Sequence, residues 1–433
     1  MPTTVTVEEL SSFTNQKQSI KFTDYDCLGF DLDNTICRYK IGSMVKLEYE
    51  TIAKFLVDKR GYPSDHLMQP IENNLDFMLK GLILDVENGN ILHIAPDGHI
   101  VHGSHGTKEL TKEDLVRCYG PECRWKVTDE FSRDPLHTWN GPYSEQMRTL
   151  LDYFDMPAGL IFARVVDTLD EKNGGPMKSY SIWPDLLDAM QEMFDKQHFQ
   201  LNKGGYFNEI KANPDNYIHK CSDELINWFK TLRTHKKLLF LITGSNVDFA
   251  SHTATNSMGP NWKELFDIII CFAKKPGFFI GNRPFIGVNG FEETGPVSEA
   301  DLERGGIYTY GNWNGLYEFL KKHSKHENPK VVYVGDNLVQ DVYTPAVHAN
   351  CDTVAVCEEL EAEGAFGHDP VHVDQEFLVS STWGSYFLHK DERRYTIWRD
   401  IINKHSKACI PSLEYVAAKP LNQEYSPIHL LNE

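Results

Sequence analysis

Five short runs of apolar residues stand out along the chain, and none of them alternates apolar with polar positions. A strand that is buried on both faces has this continuous apolar pattern, as in a parallel sheet covered by helices. The runs therefore predict five strands of one buried sheet. They occupy residues 27–30, 238–242, 268–272, 331–334 and 353–356.

Helical patterns precede two of these runs. Ser222 is a suitable N-terminal cap for the first helix. Its apolar positions, at helical spacing, are Leu225, Ile226, Phe229 and Leu232. A similar spacing at residues 316–320 leads into the 331–334 run. Strands that alternate with helices are typical of an α/β fold, so we predict a Rossmann-like core with a doubly wound parallel sheet.

A long insertion separates the first predicted strand from the second. About two hundred residues lie between them, whereas a crossover connection needs roughly a dozen. Within the insertion, Asn88-Gly89 joins two apolar runs and predicts a hairpin. We therefore predict a large mixed α+β cap domain, inserted after the first strand. The predicted units are a flexible N-terminal tail at 1–20, an α/β core at 21–45 and 222–400, the cap at 46–221 and a C-terminal extension at 401–433.

The charge balance limits the partners of the chain. Among its 433 residues, 43 are Lys or Arg and 62 are Asp or Glu, so the formal net charge is −19. That average field repels a nucleic acid polymer, and we expect none as a partner. A local lysine or a metal ion can still attract a small phosphorylated substrate.

Cysteine usage and the lack of targeting signals indicate a soluble, cytoplasmic protein without a membrane partner. The nine cysteines are an odd number, and several sit in apolar stretches as buried reduced thiols do. Cys118 and Cys123 flank a turn, but no second pair has a zinc-site spacing. The first residues resemble no signal peptide, and no apolar run approaches the roughly 20 residues of a membrane span. The composition does not decide between a monomer and a homo-oligomer.

Two carboxylates follow the first predicted strand, in the segment Asp31-Leu32-Asp33-Asn34-Thr35. Open α/β sheets bind ligands at the carboxyl ends of their strands, where both side chains can point into one crevice. One carboxylate can attack a phosphoryl group, and a second can protonate the leaving alkoxide and then deprotonate water. The alternative is that the pair only caps a turn or a helix.

Two further strand ends carry groups that suit a metal ion and phosphate. Asp336 and Asp341 follow the 331–334 run and offer the hard oxygen ligands that Mg²⁺ takes, although Gly-Asp-Asn is also ordinary turn chemistry. Thr243, Gly244 and Ser245 follow the 238–242 run. Their hydroxyl and backbone N–H groups can hold phosphate oxygens, or they can simply cap the next helix.

Lys275 follows the 268–272 run and can neutralise charge on the phosphate oxygens, with neighbouring Lys274 as the alternative. Taken alone, such a lysine is usually a surface residue. Together, however, four strand ends carry Asp-x-Asp, Thr, Lys and Gly-Asp-x4-Asp in chain order. Independent turns would rarely supply all four.

In this order the motifs resemble those of the haloacid dehalogenase superfamily. The resemblance implies a Mg²⁺-dependent phosphatase that works through an aspartyl-phosphate intermediate. The residues it assigns are Asp31 as nucleophile, Asp33 as general acid and base, Thr243, Gly244, Ser245 and Lys275 as phosphate-binding residues, and Asp31, Asp33 and Asp336 as metal ligands, with Asp341 supporting the metal.

Segments of the insertion and of the C-terminal part resemble the cytosolic 5′-nucleotidases, and the C-terminal ones favour the branch of 5′-nucleotidase domain-containing proteins. The likeness implies a nucleoside monophosphate as substrate and puts His105, Arg164 and Asp167 near it. The segments that carry it are 81–85, 89–92, 105–106, 164–167, 383–387 and 410–414.

Thr107 departs from the purine-specific nucleotidases, which have an aromatic residue after His-Gly. A stacking platform contributes about 1–3 kcal/mol per base, so its loss argues against a purine preference. Three interpretations stay open: a 5′-nucleotidase, a phosphatase for another small phosphomonoester, and a binding or scaffold protein that keeps the magnesium site with little turnover. For His105, the alternative of a structural histidine is the favoured one.

Overall fold

The computed structural model of the chain describes residues 19–139, 141–362, 377–390 and 394–425. Its strands are β1 (Cys27–Phe30), β2 (Ile83–Asp85), β3 (Asn90–Ile94), β4 (Ile100–His105), β5 (Lys108–Glu109), β6 (Met147–Thr149), β7 (Leu238–Ile242), β8 (Ile268–Cys271), β9 (Phe285–Asn289), β10 (Glu292–Val297), β11 (Gly306–Tyr310), β12 (Val331–Gly335), β13 (Asp352–Val356), β14 (Val379–Ser380), β15 (Gly384–Ser385) and β16 (Ala408–Ile410). Its α-helices are α1 (Ile41–Arg60), α2 (Ser64–Leu67), α3 (Lys112–Tyr119), α4 (Lys126–Arg133), α5 (Leu136–Trp139), α6 (Met156–Asn173), α7 (Trp183–Met193), α8 (Lys196–Leu201), α9 (Gly205–Ala212), α10 (Asp223–Thr234), α11 (Val247–Met258), α12 (Gly277–Ile280), α13 (Trp313–Ser324), α14 (Thr344–His348), α15 (Glu359–Ala362), α16 (Ile397–His405) and α17 (Leu413–Ala417).

Nine of the strands form one sheet, in the order β10-β9-β11-β8-β7-β1-β12-β13-β16. The central strand β1 pairs in parallel with β7 and β12, so that Cys27 lies beside Leu238 and Val331. Every residue of β1, β7, β8 and β12 is buried, as the continuous apolar runs predict. The chain therefore has the predicted α/β class, with antiparallel β9 and β10 added at one edge.

Alternate residues of β1 pack on opposite faces of this sheet, and a helix covers each face. Leu28 and Phe30 share a hydrophobic core with α10, which begins as predicted after Ser222. The Ser222 hydroxyl caps the helix by accepting the N–H of Leu225 at 3.1 Å. On the opposite face, Cys27 shares a core with α13. Both faces are thus shielded from water.

A second sheet lies in the chain between β1 and β7. It is antiparallel and five-stranded, in the order β5-β4-β3-β2-β6. The predicted hairpin joins β2 to β3, with Asp85 opposite Asn90. Gly89 at its turn has φ +71°, and a Cβ there would lie 2.7 Å from the Tyr180 ring, so only glycine fits.

Buried indole groups join this second sheet to the C-terminal part of the chain. Trp398 Nε1 donates to Gly81 O and Trp383 Nε1 donates to Phe77 O, both at 2.8 Å. A Cβ on Gly81 would lie 2.3 Å from Trp398 Nε1, so glycine is needed at that close approach. Residues of both parts, among them Ile83 and Trp398, belong to one hydrophobic core.

The C-terminal segment departs from the sequence expectation of a separate extension at 401–433. Residues 408–410 form β16, which pairs in parallel with β13 and places Cys409 beside Ala355. Part of that segment is therefore the ninth strand of the central sheet. A strand of three residues is too short to show a period, so no pattern announces it.

Three sequence expectations concern the surroundings of the chain. All nine cysteines are free thiols, as their positions predict. Across the described ranges, none of the helices is both long enough and apolar enough to span a membrane. The tail predicted at residues 1–20 lies outside the described residues as far as residue 18.

Candidate active site

The loop after β1 turns sharply and keeps two carboxylates at one end of the sheet. Asp31 prolongs the strand, because its N–H donates to Val334 O at 2.9 Å. The N–H of Cys37 then donates to Leu32 O at 2.8 Å and closes a turn around Asp33. Asp31 is 7% exposed. Its carboxylate is therefore presented inside the protein, at the carboxyl end of the central strand.

Asp336 and Asp341 meet Asp31 in a buried group of three carboxylates. One oxygen of each lies within 4.8 Å of the other two. Asp336 follows β12, and Asp341 lies in the π-helical turn Leu338–Tyr343. Burial and the nearby charges raise the pKa of Asp336 well above its ordinary value, and burial raises the pKa of Asp341 to about 7. A divalent cation would relieve the repulsion among the three carboxylates, so the group can bind a metal.

Lys275 supplies a buried positive charge to the same group. Its Nζ donates to Asp31 Oδ1 at 2.7 Å, to Asp341 Oδ1 at 2.6 Å and to the Tyr333 hydroxyl at 3.3 Å. Its side chain is 4% exposed. The alternative from the sequence, Lys274, instead puts its Nζ 3.7 Å from the centre of the Phe272 ring. Of the two lysines, the structure brings Lys275 to the carboxylates.

Asp33 points toward hydroxyl groups rather than toward the three carboxylates. Its Oδ1 accepts the Tyr39 hydroxyl at 2.7 Å. Its Oδ2 accepts the Ser245 hydroxyl at 2.6 Å and the Thr243 hydroxyl at 3.3 Å. Burial, followed by the charge of Asp31, raises the pKa of Asp33, although the three hydroxyl groups act in the opposite direction. Three hydroxyl groups therefore fix the carboxyl group of Asp33 beside the candidate nucleophile Asp31.

The loop after β7 offers both hydroxyl and backbone groups at this end of the sheet. Thr243 is held by its N–H, which donates to Ile270 O at 2.9 Å, and its hydroxyl accepts the Ser245 N–H at 3.0 Å. Gly244 between them is exposed, and no atom lies within 4 Å of the position that a Cβ would take. The backbone at Gly244 is thus open to an anion, as phosphate binding requires.

Two of the predicted substrate residues lie together in a cavity of about 670 Å³. His105 contacts Asn90 Oδ1 through Nδ1 at 2.8 Å and Asp170 Oδ2 through Nε2 at 2.9 Å. Asp167 accepts the Thr107 hydroxyl at 2.6 Å. Among the described residues, the lining of this cavity does not include the three carboxylates of the candidate metal group.

Arg164, the third predicted substrate residue, is 2% exposed and is bound within the protein. Its Nη1 donates to the Tyr49 hydroxyl at 2.8 Å and to Gln69 O at 2.7 Å. Its Nη2 donates to Pro70 O at 2.8 Å and to Asn74 Oδ1 at 2.7 Å. These partners tie α6 to the segment after α2. The structure separates Arg164 from the cavity that His105 and Asp167 line.

Three hydroxyl groups of the site carry no role in the sequence analysis. Thr35 donates to Asp336 Oδ1 at 3.3 Å, and Tyr39 donates to Asp33. The Tyr333 hydroxyl donates to Ile242 O at 2.9 Å and accepts a hydrogen bond from Lys275 Nζ. A tyrosine inside a buried strand needs a hydrogen-bond partner, so a polar contact of Tyr333 could have been predicted from the sequence. Nothing in the spacing of Tyr39 indicates where its hydroxyl goes.

Comparison with known proteins identifies relatives over most of the chain. A family model described as the 5′ nucleotidase family matches residues 13–378. Human 5′-nucleotidase domain-containing protein 1 is 35% identical over 427 residues, which cover 93% of this chain and 91% of that protein. The bovine protein of the same name is 34% identical over 424 residues, with 93% and 91% covered. Human 5′-nucleotidase domain-containing protein 2 is 26% identical over 385 residues, with 87% and 68% covered. The chain therefore belongs to the 5′ nucleotidase family and is a phosphomonoester hydrolase.

Proposed function

We propose that the chain is a Mg²⁺-dependent 5′-nucleotidase that forms an aspartyl-phosphate on Asp31. One observation carries this proposal. Asp31 and Asp341 share the buried ammonium of Lys275, and Asp336 lies beside them within metal-binding distance. A nucleophile, a cation for phosphate and a carboxylate group for a metal thus converge from three strand ends, as expected for phosphoryl transfer.

The fold supports the same proposal. In this proposal the central sheet is a haloacid dehalogenase-type core at residues 21–45 and 222–400, completed by strand β16, and residues 46–221 with the second sheet are its inserted cap. The free cysteines support a cytoplasmic location, where thiols stay reduced. The cap covers the strand ends at which the phosphoester is held and excludes bulk water from them.

The residues present fit Mg²⁺. The metal would be held by carboxylate oxygens of Asp31 and Asp336 and by the backbone near Asp33, with Asp341 supporting it. Buried carboxylates in this number are the hard oxygen donors that Mg²⁺ prefers, and, in addition to burial, the charges of Asp31 and Asp341 raise the pKa of Asp336, which supports the assignment. When bound, the ion supplies positive charge that offsets the charge of the phosphoryl oxygens.

The side chains divide the chemistry into two steps. A carboxylate oxygen of Asp31 attacks phosphorus while the ester P–O bond breaks, and Asp33 gives its proton to the departing oxygen. Asp33, now a carboxylate, takes a proton from water as the water oxygen attacks phosphorus, and the Asp31–phosphorus bond breaks. Thr243, Ser245 and Lys275 hold the phosphoryl oxygens in both steps.

The leaving group is a nucleoside in this proposal, and the cavity lined by His105 and Asp167 is a candidate contact for it. One observation favours a second candidate, a different small phosphomonoester. Thr107 stands where an aromatic platform would stack a purine, and its hydroxyl is taken up by Asp167 at 2.6 Å.

Phosphate release tests the proposal. It is measured with and without Mg²⁺ over a panel of nucleoside monophosphates and sugar phosphates. Asp31→Asn should abolish release, whereas the exposed carboxylate variant Asp58→Asn should leave it unchanged. Release from sugar phosphates alone would select the second candidate. If no ester releases phosphate but the protein still binds a phosphate analogue, the chain would be a binding or scaffold protein.

A further inference from the structure

Arg38 and Tyr39, which follow the loop after β1, are bound by residues on two sides. Arg38 donates through Nε and Nη2 to the two carboxylate oxygens of Glu358, at 2.8 and 2.9 Å. On the other side, Tyr39 forms an antiparallel bridge with Ile218, and the N–H of His219 donates to Arg38 O at 2.9 Å. These contacts fix the backbone at Tyr39 and so the direction of its side chain.

The Tyr39 hydroxyl lies against the candidate acid. It is buried, with the residue 1% exposed, and it donates to Asp33 Oδ1 at 2.7 Å. Its other polar neighbour, the Thr253 hydroxyl, lies at 3.4 Å. The Tyr39 ring packs edge-on against Phe154, with 5.4 Å between ring centres. A buried phenol needs a hydrogen-bond partner, and the shorter of these two contacts is the one to Asp33.

The two oxygens of Asp33 are held by different parts of the chain. Oδ2 accepts Ser245 and Thr243, which lie in the loop assigned to phosphate, whereas Oδ1 accepts Tyr39. A phosphoryl group that binds this loop draws the two loop hydroxyls toward its own oxygens. Tyr39 is then the hydroxyl that still orients the carboxyl group of Asp33.

We infer that Tyr39 is a positioning residue that keeps Asp33 aimed at the leaving oxygen of the phosphoester. The inference rests on the proposed function. With Oδ1 engaged by Tyr39, the proton for the leaving group is carried on Oδ2, which faces the phosphate loop. In the first step that O–H bond breaks and one forms on the leaving oxygen. In the second step Oδ2 regains a proton from the attacking water.

The nature of the leaving group reveals this role. An alkoxide departs only with a proton, so hydrolysis of an alkyl phosphate needs a well-aimed acid. A nitrophenolate is stable without one. A fault confined to the aim of Asp33 therefore lowers kcat/KM, which reports the steps up to formation of the aspartyl-phosphate, for alkyl esters and spares kcat/KM for 4-nitrophenyl phosphate. General damage to the site lowers kcat/KM for both.

The test compares wild type, Tyr39→Phe and Tyr49→Phe at saturating Mg²⁺. The substrates are 4-nitrophenyl phosphate and the alkyl phosphate that wild type hydrolyses fastest. Tyr49 is the matched control, because its buried hydroxyl binds Leu67 O at 2.8 Å and Arg164, away from Asp33. Tyr39→Phe should lower kcat/KM for the alkyl ester about 10-fold to 100-fold and that for the aryl ester less than about 3-fold. Tyr49→Phe should leave the ratio of the two rates unchanged.

This ratio does not depend on how much of a variant is folded, because both rates come from the same folded molecules. Equal loss on both substrates in Tyr39→Phe would overturn the inference and leave the phosphatase intact. An Asp33→Asn background gives a second measure, since Tyr39→Phe should cause no further loss there. A full additional loss in that background would overturn the inference. No turnover of either ester by wild type would overturn the proposed function together with it.

Discussion

Lys80 and Glu359 form a buried ion pair that joins the inserted part of the chain to the central sheet. The Lys80 Nζ lies 2.7 Å from Glu359 Oε1, and each side chain is 1% exposed. Lys80 precedes β2, whereas Glu359 begins α15 just after β13. The ammonium also lies 4.5 and 4.6 Å from the ring centres of Tyr153 and Tyr386. The pair therefore links two segments that are far apart in sequence within a dry, aromatic setting.

Lys80→Met should destabilise the protein strongly, because it leaves the Glu359 carboxylate buried without its cation. Loss of one partner of such a pair costs about 3–5 kcal/mol. Chemical denaturation measures the change. The exposed pair of Lys46 and Glu72, at 2.9 Å, is the control, and Lys46→Met should change stability by less than about 1 kcal/mol. A similar small effect of Lys80→Met would show that the buried pair does not hold the two parts together.

Lys275→Met should lower kcat by about 100-fold or more, because a buried cation against the phosphoryl oxygens is lost. The neighbouring Lys274→Met is the matched control. Its Nζ lies over the Phe272 ring and not at the carboxylates, so kcat should stay within about 3-fold of wild type. Steady-state phosphate release from the preferred ester measures both. Equal losses in the two variants would contradict the placement of Lys275.

Mild acid should destabilise the fold through two buried histidines. His93 and His389 lie with their ring centres 4.2 Å apart, and burial lowers their pKa values to about 3 and about 2 from an ordinary 6.5. The charges of His102 and Arg394 also act against protonation of His389. Protons therefore bind the unfolded chain near pH 6.5 but not the folded one, so stability falls as the pH drops below that value.

For the two rings together, the loss should be about 3 kcal/mol between about pH 7.5 and about pH 5.5. Other buried groups titrate in this range, so the contribution of the pair is obtained by difference. Denaturation of wild type is compared with His93→Leu/His389→Leu at both pH values. The double variant should lose less stability on acidification. Parallel losses in the two proteins would exclude the pair as the cause.

Mg²⁺ should stabilise the protein against unfolding. The ion would bind the folded carboxylate group and not the unfolded chain, so about 2.7 kcal/mol is expected at a concentration 100 times its Kd. Denaturation midpoints with and without Mg²⁺ measure the effect. Asp336→Asn should remove most of the shift, and the exposed Asp58→Asn should retain it. An unchanged shift in Asp336→Asn would place the metal elsewhere.

Particular elements show how far the sequence reaches. The apolar runs predict β1, β7, β8, β12 and β13 because a buried strand must be apolar at consecutive positions. Asn88-Gly89 predicts a hairpin that the structure contains, because the turn itself requires glycine. By contrast, β16 has three residues and no distinguishing pattern, so its place in the central sheet could not be predicted.

Side-chain contacts show the limit in the candidate site. Asp31, Asp336, Asp341 and Lys275 were predicted at strand ends, and the parallel sheet brings these ends together. Arg164 was predicted near the substrate, but its guanidinium binds Asn74 and backbone carbonyls in the interior. The residues next to Arg164 in the sequence do not show that the segment at 69–74 folds around its guanidinium.

By itself, the sequence determined the α/β class, the hairpin at Asn88-Gly89 and the chemical groups at each strand end, because these depend on apolar runs and turn residues close together in the chain. Only the tertiary structure decided which atoms meet. Tyr39 reaches Asp33 because of a tight turn and a bridge to Ile218, and Lys80 reaches Glu359 from a distant part of the sequence. Such contacts follow from strand register and from burial, which no short segment encodes.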